Sequence, residues 1–110
     1  MDIILSKDSD KLICVMYKSY LEKRKSGIAK SNAKHFGSSH VIHEELLPKW
    51  LFEDVDDTCR ELSRAELIKC TWADNIAYDV WISDLGISYM ENRFKNGLSE
   101  VIDFITKFIP

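Results

Sequence analysis

A helical pattern with a buried face over Leu51–Arg64, alternating strands at Ile68–Trp72 and Ile76–Ile82, and a return to helix at Ser83 predict a mainly helical α+β fold. Preceded by more helix, that order is the layout of a winged helix-turn-helix with a two-stranded β-hairpin wing and two C-terminal helices. With 110 residues the chain is long enough for one core, so residues 1–110 are expected to be a single winged-helix domain. The expected partition is N-terminal helices over 8–47, a recognition-position helix over 51–65, the hairpin over 67–83 and C-terminal helices over 84–109.

The first helix is expected to start at Ser9, a good N-cap, with Asp8 and Asp10 at the positive end of the dipole. Leu12, Ile13, Met16, Tyr17, Tyr20 and Leu21 form its apolar stripe, and Lys23-Arg24-Lys25 followed by Ser26-Gly27 ends it. Ile28–Phe36 reads as a short helix with Ile28, Ala33 and Phe36 inward. Gly37-Ser38-Ser39 is a stop and a fresh cap for a helix to Leu47, closed by Pro48. The next helix buries Phe52, Val55, Cys59 and Leu62, which step by three and four.

In the hairpin, Ile68, Cys70 and Trp72 share one face, and Ile76, Tyr78, Val80 and Ile82 share another. A two-residue Asp74-Asn75 loop would put these sets on opposite faces. An odd-numbered tip, of three or five residues, pairs Trp72 with Tyr78, Cys70 with Val80 and Ile68 with Ile82. Ser83 or Asp84 then caps a helix with Ile87, Met90 and Phe94 inward, broken at Asn96-Gly97. A last helix carries Val101, Ile102, Ile105, Phe108 and Ile109, while residues 1–7 and Pro110 read as tails.

An apolar share of 45% and a charged share of 30% are those of an ordinary soluble domain. Met1–Leu5 is a short apolar start cut off by Lys7, Asp8 and Asp10, so no leader is expected. No apolar run approaches the roughly 20 residues that span a bilayer, so no membrane partner is expected. Three scattered cysteines (Cys14, Cys59, Cys70) read as reduced thiols, which places the chain in the cytoplasm. Net charge conceals a polarity. Residues 11–37 hold seven cations against Glu22, net +6, whereas residues 38–66 hold three cations against eight anions, net −5.

The segment Ser83-Asp84-Leu85-Gly86-Ile87-Ser88-Tyr89-Met90-Glu91 resembles the hairpin-to-helix junction of small winged-helix proteins of Gram-positive bacteria and their phages. Val55-Asp56-Asp57 with Arg60-Glu61-Leu62 before Leu67-Ile68 resembles the same group's recognition-position helix. The likeness covers roughly residues 44–109 and concerns architecture: it implies the fold and a regulatory setting, and no chemistry.

Two functional readings stay open. In the first, Lys23, Arg24, Lys25, Lys30 and Lys34 position DNA through its phosphates, because the recognition-position helix itself is acidic and would repel them. In the second, an acidic module that does not bind DNA meets a protein partner through Asp54, Asp57, Glu61 and Trp81, with Trp50 a further candidate anchor. Under either reading Val101, Ile102, Ile105, Phe108 and Ile109 are the candidate homodimer contact, the alternative being that this helix packs back on the first one and closes the core. No P-loop, nucleophile elbow, dinucleotide turn or HExxH is present, so neither an enzyme nor a cofactor is expected. His40 and His43 stand three apart beside Glu44 but lack a fourth ligand, so no metal is expected.

Overall fold

The computed structural model describes residues 3–109; Met1, Asp2 and Pro110, read above as tail residues, lie outside the described residues. The chain is α+β and mainly helical, with one three-stranded antiparallel sheet. The elements run α1 (Lys7–Lys25), α2 (Lys30–Ala33), β1 (His35–Gly37), α3 (Ser39–Leu46), α4 (Phe52–Arg64), β2 (Ile68–Ala73), β3 (Ile76–Ile82), α5 (Asp84–Arg93) and α6 (Leu98–Phe108).

Serine caps set three of the helix starts. Ser6, Ser38 and Ser83 stand just before α1, α3 and α5, and their hydroxyls accept from the backbone N–H of Ser9, Val41 and Gly86. The first helix therefore begins at Ser6, earlier than expected. Ser9 is fully buried one turn in, and Ile3 and Leu5 before the cap pack on the core. One side of the core comes from α1 (Leu12, Ile13, Met16, Tyr17) and the other from α4 (Val55, Cys59, Leu62). Ile68, Val80 and Ile82 close it from the sheet, with Ile87 and Met90 from α5.

The 28–36 segment is not one helix. A single turn, α2, buries Ala33 and leaves Ile28 exposed; the chain then extends as β1, burying Phe36. β1 pairs with β3, giving the order β1-β3-β2, and the backbone N–H of Ile82 donates to Lys34 O at 2.9 Å. The sheet thus gains a third strand that the alternation of β2 and β3 could not signal.

The hairpin tip also differs from expectation. Asp74 and Asn75 form a two-residue turn with φ of 51° and 63°, the left-handed pair of a type I′ turn. Ala73 faces Ile76 and Trp72 faces Ala77, as a two-residue loop requires. The register then slips by one, so that Thr71 faces Asp79, Cys70 faces Val80 and Ile68 faces Ile82. A bulge at Tyr78 does what an odd-numbered tip was expected to do. Tyr78 consequently leaves the apolar face and is exposed, while Ala77 takes its place in the core.

At the end of α4, Glu66 closes the helix with φ of 64°, a conformation that suits glycine at this position. Its side chain is exposed and makes no hydrogen bond in the described structure. Glu66→Gly should raise stability by about 0.5–1 kcal/mol, read as a higher urea midpoint with an unchanged slope.

Across the other end, α6 packs on α1. Arg93 of α5 makes a two-pronged ion pair with Asp10 of α1 while its guanidinium lies 4.6 Å from the Phe104 ring centre. Phe104 meets Phe94 edge-on at 5.5 Å. This knot joins α1, α5 and α6.

Candidate partner-binding surface

The basic segment is less free than its sequence suggests. Lys23 lies half-buried, donates to His35 O at 2.9 Å and sits 4.0 Å above the Phe36 ring; burial pulls its pKa below the usual lysine value. Lys34 pairs with Asp84 at the start of α5. Arg24 is exposed but turns back to Ile28 O at 3.2 Å. Lys25 and Lys30 are exposed and make no ion pair among the described residues. Of the five candidate phosphate contacts, Lys23 and Lys34 therefore hold the fold together.

On α4, helical spacing sorts the acids into two groups. Glu53, Asp54 and Asp57 are exposed. Asp56 is not: it is 6% exposed and acts as a buried staple. One of its oxygens accepts from Ser39 Oγ at 2.8 Å and from the backbone N–H of Ala77 at 2.9 Å, and the other accepts from Arg60 at 3.2 Å. Arg60 also donates to Asn75 O in the turn and lies 4.4 Å from the Trp72 ring centre. A carboxylate and a guanidinium one helical turn apart thus bind α3, α4 and the hairpin tip into one unit.

Glu61, a candidate partner contact, is likewise engaged. Ser6 Oγ and Ser9 Oγ both donate to it at 2.6 Å, and these bonds, that from Ser6 first, hold its carboxyl below the usual range. It fastens the start of α1 to α4 and is a poor partner contact. The exposed side of α4 is left with Glu53, Asp54 and Asp57 against Arg64. Glu44 and Glu45 are exposed at the end of α3, and Glu45 stands near enough to Lys23 to oppose the effect of burial there.

Trp81 sits on the outer face of the sheet, as its place in the alternation required. His35 of β1 covers part of it, with ring centres 4.3 Å apart, and its indole N–H donates to Asp79 at 3.0 Å. His35 also bonds Asp79, and that bond, first among the causes, lowers the Asp79 pKa. Trp81 remains 37% exposed and is a usable contact.

The α6 candidates divide. Val101 is fully buried and belongs to the core, and Ile105 and Ile109 pack partly against it. Ile102 and Phe108 are exposed. Part of the stripe therefore closes the core against α1: Val101 is no interface residue, while Ile102 and Phe108 stay available as contacts.

His40 stacks flat on Phe52 with ring centres 4.0 Å apart, and His43 bonds Trp50 O through Nε2 at 2.7 Å. Among the described residues no group of three His, Cys, Asp or Glu side chains could hold a metal ion. Nor, among them, is any helix long and apolar enough to cross a membrane.

Between α3 and α4 the chain turns through Leu47–Leu51. Leu46, Leu47, Pro48, Lys49 and Trp50 line a cleft of about 170 Å³ there, and Leu51, next in the chain, is 68% exposed. Sequence reasoning treated Leu51 as the first residue of an amphipathic helix and missed its exposure. The signal was present: it stands where α1, α3 and α5 place a serine. No family model, curated protein or solved structure matches the chain.

Proposed function

We propose that the chain is a winged helix-turn-helix module whose recognition-position helix, α4, binds a basic protein partner, making it a non-enzymatic regulatory adaptor and not a DNA reader. The order of elements supports the winged-helix reading: a helix, a short strand, a helix pair, then a hairpin completing a β1-β3-β2 sheet. One observation carries the choice of partner. α4 turns its Arg60 inward onto Asp56 and the hairpin while presenting Glu53, Asp54 and Asp57 outward. A surface of that sign repels phosphates and attracts cations.

A second reading, DNA contact through the basic segment, is favoured by the exposure of Arg24, Lys25 and Lys30. Fluorescence anisotropy of a random-sequence duplex at low and moderate salt separates the two. The wild-type protein should not bind. The variant Glu53→Lys/Asp54→Lys/Asp57→Lys should acquire salt-sensitive binding, with Kd on the order of 10⁻⁴–10⁻⁶ M, because α4 then offers cations where a winged helix meets DNA. Salt-sensitive binding by the wild type, abolished by Arg24→Glu/Lys25→Glu/Lys30→Glu, would replace the adaptor reading with the second.

A further inference from the structure

We infer that the cleft between α3 and α4 receives the apolar side of a basic amphipathic helix from the partner, with Leu51 as the anchor it covers. The inference rests on the adaptor reading and specifies its site. Leu51 occupies the N-cap position of α4, has β-region backbone angles and makes no capping bond. Serine, threonine, asparagine and aspartate are preferred there, since their side chains satisfy a free N–H of the first turn; leucine does not. Among the helices of eight residues or more, serine or glycine stands at this position before α1, α3, α5 and α6, and leucine before α4. The departure also leaves a large apolar side chain 68% exposed, next to a cleft lined by Leu46, Leu47, Pro48 and Trp50 with Lys49 as its one charged residue. Leu51 is not among the hydrophobic side chains packed on the core, and a covering partner would bury it.

Charge identifies the chemistry of the occupant. Glu44 and Glu45 at the end of α3, with Glu53 and Asp54 in the first turn of α4, lie in sequence on either side of the Leu46–Leu51 segment, and all four are exposed. An apolar centre with a charged surround is the anatomy of a protein–protein contact. Helices bind such grooves through anchors repeating at i, i+3, i+4 and i+7, and four flanking acids against Lys49 alone favour lysine and arginine on the flanks of that stripe. A second copy of this chain fits less well, because Lys23 and Lys34 of its basic segment are already engaged.

The probe is a fluorescein-labelled peptide of about 18 residues, composed of leucine and lysine at helical spacing, beside a peptide of the same composition in scrambled order. Anisotropy should show the amphipathic peptide binding at least ~10-fold more tightly than the scrambled one. Leu51→Ser should reduce that binding by ~10-fold or more, while the supplied cap raises Tm by about 3–6 °C. A gain in stability with a loss of binding is what a purely structural role for Leu51 would not give. Equal binding of the two peptides would mean that charge alone attracts them, and full binding by Leu51→Ser that Leu51 is not the anchor; either result would overturn the inference and leave the adaptor reading standing. No binding of either peptide would overturn the inference, and duplex binding by the wild type in the same buffer would overturn the adaptor reading with it.

Discussion

Asp56→Ala should remove about 3–4 kcal/mol of stability, the largest loss expected from any α4 acid. The substitution deletes the acceptor for two buried donors, Ser39 Oγ and the Ala77 N–H, and for the Arg60 guanidinium. Ser39 has a second, longer acceptor in Ala77 O at 3.3 Å, so part of its loss is recovered. The Ala77 N–H has no such reserve. It lies opposite Trp72 in the register, beside the bulge, and Ala77 is fully buried. An unsatisfied buried N–H costs about 1–3 kcal/mol, and the stranded Arg60 adds to it. In urea the midpoint should fall by roughly 2 M with little change in slope.

Asp57→Ala is the control. Asp57 is an exposed neighbour whose nearest cation, Arg60, is 4.0 Å away, so its loss should cost no more than about 0.5 kcal/mol. If the two variants melt alike, Asp56 is not a staple. Asp56→Asn should fall between them: it keeps the volume and one acceptor but loses the charge that favours the bond to Arg60. The distinction bears on function, because Asp56 and Asp57 are adjacent acids with opposite duties. One holds the hairpin to α4, and the other faces outward.

The sequence separated these duties only in part. Asp56 and Arg60 are one helical turn apart, so their pairing is a local rule that a sequence can display. That Ser39 and Ala77 would converge on the same carboxylate depends on α3 and β3 meeting α4, which no local pattern encodes. The same division holds elsewhere. Helix positions were legible because capping and periodicity are local, and Ser83 was foreseen as a cap. β1 was not, since three residues acquire strand character by pairing with β3, far along the chain.

In the hairpin, periodicity correctly demanded that Cys70 and Val80 share a face, but a tight turn with a bulge and a longer tip satisfy that demand equally. The basic segment looked like a phosphate site because sequence counts charges without showing what they touch. Lys23 and Lys34 reach their acceptors only after β1 and α5 are in place. The stripe on α6 was legible as apolar, and its use was not, because α1 decides it.

Gly86→Ala should cost a net 2–3 kcal/mol even though alanine is the better helix former. Replacing glycine in a helix normally gains about 1 kcal/mol. At Gly86 an added Cβ would lie 2.2 Å from Leu67 O, a distance no carbon tolerates, and 3.2 Å from the Ile82 side chain. The obstacle is a main-chain carbonyl, so no rotamer change can clear it; α5 must lift away from the end of α4. That movement pulls on a compact set of bonds. The Leu67 oxygen accepts from the Ser83 N–H at 3.0 Å, Ser83 Oγ donates to Glu66 O at 2.6 Å, and the Gly86 N–H donates back to Ser83 Oγ at 2.9 Å.

The spacing Ser83-x-x-Gly86 therefore has a physical cause: the serine caps α5 and ties it to the end of α4, and the glycine lets the helix come that close. Gly97→Ala discriminates this cause from a general intolerance of substitution at glycine. Nothing lies within 4 Å of its added Cβ, so the cost there, about 1–3 kcal/mol, comes from its backbone angles alone (φ 74°, ψ −142°) and should leave the Leu67–Ser83 junction closed. Hydrogen exchange should find the new openings of Gly86→Ala in α5 and at the Leu67–Ser83 junction, with α3 and α4 less affected. Because Gly86 touches neither the exposed acids nor Leu51, the folded fraction of the variant should bind the lysine–leucine peptide as the wild type does. Affinity that fell with stability would mean that the α4–α5 junction shapes the partner surface, and the two ends of α4 would then act as one device.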